Sequence, residues 1–272
     1  MKKKLVALFL GLIIVAAKTH AGDAVDNSQT QYFPPIRSQG SLGSCAAFSS
    51  TYYTLTYETA RARGWDVTGP EDTNKFSPKW TYNMINDGAD SGSWHGEAYD
   101  IFLSNGAATW AEFPYDNDYL AWVLDQAVWR NAINHRAASE GSVSGLNTAA
   151  GIEDLKQKLT EGRILNFGTY VSSWQYTTVD DDTSTGDDDA FAGEQICHGV
   201  SGTSGGHSMT VVGFNDDIWV DLNTDGVVDA NEKGAFKIAN SWGSWWKNDG
   251  FIWVAYEMLR NGGFWSNQAI YL

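Results

Sequence analysis

Cys45 stands at the start of a helical pattern, a placement that suits a nucleophile. The run Gln39-Gly40-Ser41-Leu42-Gly43-Ser44 before it is polar and carries two glycines. Phe48, Tyr52, Leu55 and Ala62 after it recur close to a 3.6-residue period. Ser44 offers an N-cap and Gly64 a C-terminal stop. Cys45 is then the first helical residue, where unpaired N–H groups and the positive end of the helix dipole favour a thiolate. The glycines let the loop fold back, so that Gln39 turns its amide toward the sulfur.

A thiol nucleophile needs a base, and the chain has five histidines. His20 lies in the leader described below. His95 and His135 fall on helical patterns and His198 in a loop, where each reads as a surface or satisfied side chain. His207 differs, because it follows Gly205-Gly206 and opens the apolar run Ser208 to Phe214. A glycine pair before a buried strand permits close passage of another chain, and a histidine at that edge faces a cleft. Asn240, in Ala239-Asn240-Ser241-Trp242-Gly243, ends a second apolar run. Its carbonyl can accept the proton on one ring nitrogen of His207 and so leave the other facing sulfur. Trp242 would cover that bond.

Another constellation is built for a hard cation. Asp221, Asn223, Asp225, Val227, Asp229 and Glu232 occupy positions 1, 3, 5, 7, 9 and 12 of a twelve-residue loop with Gly226 at position 6. This is the calcium-loop spacing, with Val227 contributing its carbonyl. Both flanks read as strands, so the loop is EF-hand-like without the helices; the alternative is an ion-free hairpin. Placed between His207 and Asn240, a calcium ion would fix base and orienter relative to each other. The stretch Asp180 to Asp189, with six aspartates, reads instead as a solvated surface insertion.

The elements that must position these groups follow from patterning. Residues 22–38 are polar and extended, with Pro34-Pro35 excluding a helix. Ser77-Pro78 opens a helix through Met84, another runs from His95 to Asn105 and stops at Gly106, and 117–137 has helical spacing. A helix over about 149–161 ends at Gly162. From there the signals are strands: Ile164 to Val171, His207 to Phe214, Ile218 to Val220, Gly234 to Ala239 and Phe251 to Tyr256. Helices first and strands later predict an α+β chain of two lobes with a site at their junction.

Composition bounds the setting. Lys2 to Lys4, the apolar Leu5 to Ala17 and Thr19-His20-Ala21 form a signal-peptide pattern over residues 1–21, and the apolar run is short for a membrane span. The expected location is secreted or periplasmic, with no stable membrane insertion once the leader is cleaved. The net charge of −15 argues against nucleic-acid or anionic-membrane partners. With two cysteines, Cys45 and Cys197, and 13 Trp, 12 Tyr and 12 Phe, an aromatic core rather than disulfides must hold the fold. A Cys45–Cys197 disulfide is the alternative to a reactive Cys45.

Gln39 to Phe48, Gly206 to Phe214 and Asn240 to Gly243 resemble, in order, the three active-site blocks of the papain-like cysteine peptidases. Phe113-Pro114-Tyr115 and the hairpin from Trp246 to Phe251 are similar to further features of that family. The resemblance runs from about Phe33 to the C-terminus. It implies a papain-like two-lobe fold, with a helical lobe over about 33–140 and an antiparallel β-barrel-like lobe over about 141–272. It also implies Cys45 as nucleophile, His207 as acid/base, Asn240 as orienter and Gln39 as oxyanion donor, with Cys45 and His207 resting as thiolate and imidazolium. Gly92 and Ser93 would line a groove for an extended peptide, beside Trp242. Leu42 and Ala46 depart from the family's usual cysteine and tryptophan, and the stretch between Ala21 and Gln39 leaves no room for an inhibitory propeptide. The expected activity is peptide-bond hydrolysis with a structural calcium. The alternatives are amide cleavage or acyl transfer on a non-protein substrate such as peptidoglycan, and a non-catalytic calcium-binding module.

Overall fold

A computed structural model describes residues 23–272. The leader expected over residues 1–21 lies outside the described residues. Among those described, no helix is long and apolar enough to cross a membrane.

The first lobe is helical and is built around the chain from Cys45 to Arg63. This helix is α-helical at Cys45–Ala47, widens to a π-helix at Phe48–Leu55 and returns to α at Thr56–Arg63. The widening has a local cause. The Ser49 carbonyl accepts from Asn166 Nδ2 at 2.9 Å, Thr54 Oγ1 at 3.1 Å and Thr210 Oγ1 at 3.2 Å. Three side-chain donors compete for a carbonyl that the α-ladder would otherwise use. Gly64 ends the helix in the left-handed region at φ 68°, as expected. Helices Pro78–Ile85 and His95–Ser104 follow as predicted.

The region 117–137 departs from its helical pattern, since only Gln126–Ile133 is helical. Asn83 Nδ2 donates to the carbonyls of Asp118 and Ala121 at 3.1 and 2.8 Å, and Asn86 Nδ2 to that of Tyr119 at 2.7 Å. These bonds hold 118–121 as a loop, and Asp125 caps the helix that follows by accepting from the Ala127 N–H.

The second lobe is one sheet. Its strands are β1 (Ala24–Asp26), β2 (Gly141–Ser144), β3 (Leu165–Tyr170), β4 (Trp174–Thr178), β5 (Gln195–Val200), β6 (Gly206–Trp219), β7 (Lys233–Ala239), β8 (Phe251–Ala255) and β9 (Gln268–Tyr271). The order is β2-β9-β3-β6-β7-β8-β5-β4, with β1 on β6. The two strands expected over 207–214 and 218–220 are one continuous β6. His198 lies in β5 rather than in a loop. The sheet is open rather than closed like a barrel. β5 returns from the insert over 179–194 and meets β8 parallel over only two residue pairs, so β2 and β4 remain edges. Helix Ala149–Thr160, capped by Thr148, packs on the sheet through Ile152, Leu155 and Leu159.

The lobes meet along the Cys45 helix. Phe48, Tyr52, Tyr53 and Tyr57 pack with Val212 and Ala239 of the sheet and with Ile164 just before β3. Phe48 is wholly buried, and burying such a side chain is worth about 1.5–3 kcal/mol. The aromatic composition thus forms the seam that fixes Cys45 against β6 and β7.

Candidate active site

The loop before Cys45 is stitched to the segment that follows β7. Gln39 N–H donates to the Ser241 carbonyl at 2.8 Å, and Ser38 pairs with Trp242. The Gln39 side chain is fixed at both ends: Nε2 donates to the Leu42 carbonyl at 2.8 Å, and Oε1 accepts from Ser241 Oγ at 2.6 Å. Gly43 is required by space, because a Cβ there would lie 2.8 Å from the Gly92 nitrogen. Its N–H donates to Asp90 Oδ1 at 2.7 Å, and Tyr82 also donates its hydroxyl to Asp90.

Ser44 is the N-cap by position, but its side chain does not cap the helix. Its hydroxyl bonds Tyr115 at 2.6 Å, and Tyr115 donates to the Gln39 carbonyl at 2.7 Å. The Phe113-Pro114-Tyr115 turn therefore braces the loop.

His207 opens β6, and the β6–β7 register pairs Thr210 with Ala239. That register brings Asn240 to the histidine. His207 Nε2 and Asn240 Oδ1 are 2.7 Å apart, the geometry expected from the spacing. Asn240 Oδ1 also accepts from the Ser241 N–H at 2.8 Å, while its Nδ2 is buried without a partner among the described residues. The Trp242 ring lies over His207 with centroids 4.7 Å apart. Water is thus kept from the His207–Asn240 bond.

Electrostatics within the site run against the expected resting ion pair. Burial raises the Cys45 thiol, although the N–H groups of Ser208, Ala46 and Cys45 itself pull it down. Burial lowers His207 to about 4 against the opposing hydrogen bond that it donates to Asn240. Both groups are driven toward neutrality. Cys45 and Cys197 are free thiols; Cys197 is buried in β5, so the alternative disulfide does not form.

One buried polar chain had no sequence signal. His95 Nδ1 lies 3.1 Å from Ser208 Oγ, and Ser208 Oγ lies 2.8 Å from Ser49 Oγ. Ser49 in turn donates to the Ala46 carbonyl at 3.1 Å. His95, read as surface or satisfied, is a buried anchor that ties the residue after His207 to the Cys45 helix. Only its helical periodicity was visible, and periodicity does not distinguish a buried histidine from an exposed one.

Gln39, Cys45, Gly92, Ser93, His207 and Trp242 line one groove of about 520 Å³. Asp90, Trp94 and Trp265 also line it and were not singled out from the sequence. Gly92 takes φ 92°, a conformation open to glycine, so its backbone is presented at the wall.

The expected calcium loop joins β6 to β7. Gly226 has φ 71°. Asp221 accepts from the N–H groups of Asp225 and Gly226 at 3.2 and 2.9 Å. The buried Glu232 accepts from the N–H groups of Leu222 and Asn223 at 2.8 and 3.1 Å. The donors are all oxygen and the turn falls at the required glycine, so the residues suit a hard cation. Among the described residues, the carboxylates of this loop are not gathered within 4.8 Å of one another, whereas those of Asp181, Asp188 and Asp189 are.

Known proteins share this architecture. Residues 21–270 match the family described as papain family cysteine protease. The chain is 25% identical over 236 residues to gamete and mating-type specific protein A of Dictyostelium discoideum, covering 82% of this chain and 40% of that protein. It is 24% identical over 242 residues to cathepsin L 1 of Paramecium tetraurelia, covering 86% and 59%. The chain thus spans roughly half the length of these relatives. Among solved structures, xylellain, a cysteine protease from Xylella fastidiosa, superposes with a TM-score of 0.63 at 20% identity, covering 93% of this chain and 87% of that one. The bromelain protease from Ananas comosus gives 0.60 at 18% identity, covering 91% and 97%. The match across nearly all the described residues, on a fold of helical and sheet lobes, shows that the chain belongs to the papain family of cysteine proteases.

Proposed function

We propose that the chain is an exported cysteine peptidase that hydrolyses peptide bonds through Cys45. The observation that carries this reading is the 2.7 Å bond between His207 and Asn240, set in the same groove as Cys45 and Gln39. Asn240 holds Nε2 of the imidazole, so Nδ1 is the nitrogen that exchanges a proton with the thiol. Separating charge in a buried pair is costly. A pair about 4 Å apart recovers roughly 4 kcal/mol at an effective dielectric of about 20, and a helix terminus adds at most ~2 kcal/mol. The thiolate–imidazolium pair is the reactive form, favoured by this mutual attraction and the helix terminus and opposed by the burial of both groups.

The sulfur adds to the peptide carbonyl as His207 takes the thiol proton. The oxyanion accepts from the Gln39 amide and the Cys45 N–H, one such donor being worth roughly 3 kcal/mol. His207 returns the proton to the leaving amine and then activates water against the thioester. Gly92 and Ser93 offer backbone hydrogen bonds to an extended substrate, and Trp242 screens the base. A calcium ion held by Asp221, Asn223, Asp225, the Val227 carbonyl, Asp229 and Glu232 would brace the β6–β7 hairpin that carries His207 and leads to Asn240. Its role would be structural or regulatory, and no chemical step passes through it.

An epoxide thiol inhibitor tests the assignment. Stoichiometric labelling of Cys45, loss of peptide hydrolysis in Cys45→Ser and loss of labelling in His207→Ala are expected. Hydrolysis retained by Cys45→Ser would refute it. For the loop, Glu232→Gln is expected to lower the Tm measured in calcium; an unchanged Tm would remove the ion from 221–232.

A further inference from the structure

The insert between β4 and β5 contains six aspartates in ten residues and reads from sequence as solvated surface. Its structure is more specific. Asp181, Asp188 and Asp189 each offer a carboxylate oxygen, and these atoms all lie within 4.8 Å of one another. Crowded carboxylates on a surface are not in themselves a site, but Asp188 is not on the surface. It is fully buried. Its Oδ2 accepts one bond, from the Asp182 N–H at 3.2 Å. Its Oδ1 is buried with no partner among the described residues.

A buried carboxylate demands either a cation or a full set of donors. No Lys or Arg supplies the charge, because the insert's one ion pair among the described residues is Lys233 with Asp182, at 3.5 Å. Asp182 is also occupied by Ser184, whose N–H and hydroxyl it accepts at 3.1 and 2.5 Å. The charge on Asp188 is therefore left unanswered at the point where two further carboxylates converge.

We propose that Asp181, Asp188 and Asp189 form a second cation site, for a hard divalent ion of the calcium class. Three carboxylates without nitrogen or sulfur select oxygen-seeking ions. Asp181 and Asp189 are exposed, so water can complete the coordination on the outer side. The buried Asp188 oxygen supplies the inner ligand, and ion binding removes the burial of an unpaired charge.

The site's position gives it a consequence. Asp180 donates its N–H to the Trp219 carbonyl at 3.0 Å, and Asp180 Oδ2 accepts from the Asp221 N–H at 2.9 Å. The insert is thus laced to the end of β6 and to the first residue of the 221–232 loop. An ion at Asp188 clamps the β4–β5 connection against the hairpin that leads to Asn240.

The test uses the full chain, freed of metal and titrated with calcium chloride in 0.1 M KCl by isothermal calorimetry, with Tm followed in parallel. Asp188→Asn, and separately the exposed Asp189→Asn, are each expected to bind one ion fewer per chain than the wild type. Glu232→Gln is expected to keep the ion that those variants lose. Asp188→Asn without calcium is expected to melt no lower than the metal-free wild type, because it removes an unpaired buried charge. If the 221–232 loop binds nothing, the wild type takes one ion and both Asp variants none, which still supports the insert site. Equal stoichiometry and an equal calcium-induced Tm shift in the wild type and both Asp variants would overturn it.

Discussion

Replacing His95 by glutamine is expected to change how the fold responds to acid. His95 is 2% exposed, bonds Ser208 through Nδ1 at 3.1 Å and lies against the Trp94 ring at 3.9 Å between centroids. Burial lowers its pKa to about 4, against about 6.5 for an unperturbed histidine. Between these values the unfolded chain carries a proton that the fold excludes. Stability contributed by neutral His95 is therefore intact above about pH 6.5 and is lost as pH falls toward 4. At about 1.4 kcal/mol per pH unit the full loss is about 3 kcal/mol, and at pH 5 it is about 2 kcal/mol.

The assay is urea unfolding followed by tryptophan fluorescence at pH 7, 6 and 5, for wild type and His95→Gln. Glutamine can keep a hydrogen bond to Ser208 but does not titrate. The wild type is expected to be the more stable at pH 7, and the gap to narrow by about 2 kcal/mol at pH 5. Subtracting the two curves cancels the carboxylates and the other histidines, including His207, which burial lowers in the same direction. Parallel curves from pH 7 to 5 would refute the claim that His95 is held neutral.

Asn240→Ala removes the 2.7 Å bond to His207 Nε2; kcat/KM for a peptide substrate is expected to fall by about one to two orders of magnitude, with a stability loss of about 1 kcal/mol. A change confined to stability would deny Asn240 its orienting role. Gly43→Ala places a methyl 2.8 Å from the Gly92 nitrogen and 3.0 Å from its Cα, so the groove walls must part at a cost of about 1–3 kcal/mol. KM is expected to rise, and unchanged kinetics and Tm would show that the wall yields freely. Because burial raises Cys45 and lowers His207, iodoacetamide alkylation is expected to be slow at pH 5 and to quicken as pH rises through the thiol's range. A rate already at its plateau at pH 5 would instead establish a resting thiolate–imidazolium pair.

The placement of the candidate site was legible because its parts are local and chemically distinctive. A cysteine at a helix start, a histidine after two glycines and an asparagine at a strand end each restrict position, and the β6–β7 register does the rest. The short strands were less legible. β2, β4, β5 and β9 have four to six residues each and owe their pairing to neighbours far away in sequence. The helical reading of 117–137 failed because Asn83 and Asn86, on another helix, take the carbonyls of residues 118–121. The two acidic loops show the same lesson in reverse. Spacing singled out 221–232 but not 180–189, where burial of Asp188 is a tertiary fact.

The lacing of Gln39 to Ser241 also bears on biosynthesis. These residues are 202 positions apart, and β1 waits nearly as long for β6. At roughly 5–20 residues per second, a ribosome needs about 10–40 s to bridge that interval. Throughout it the nascent chain holds Cys45 without Asn240, and Gln39 Oε1 lacks the Ser241 hydroxyl that holds it in the fold. The site around Cys45 can therefore assemble only once Asn240 and Ser241 have been made, and until then order of synthesis keeps the thiol apart from its partners.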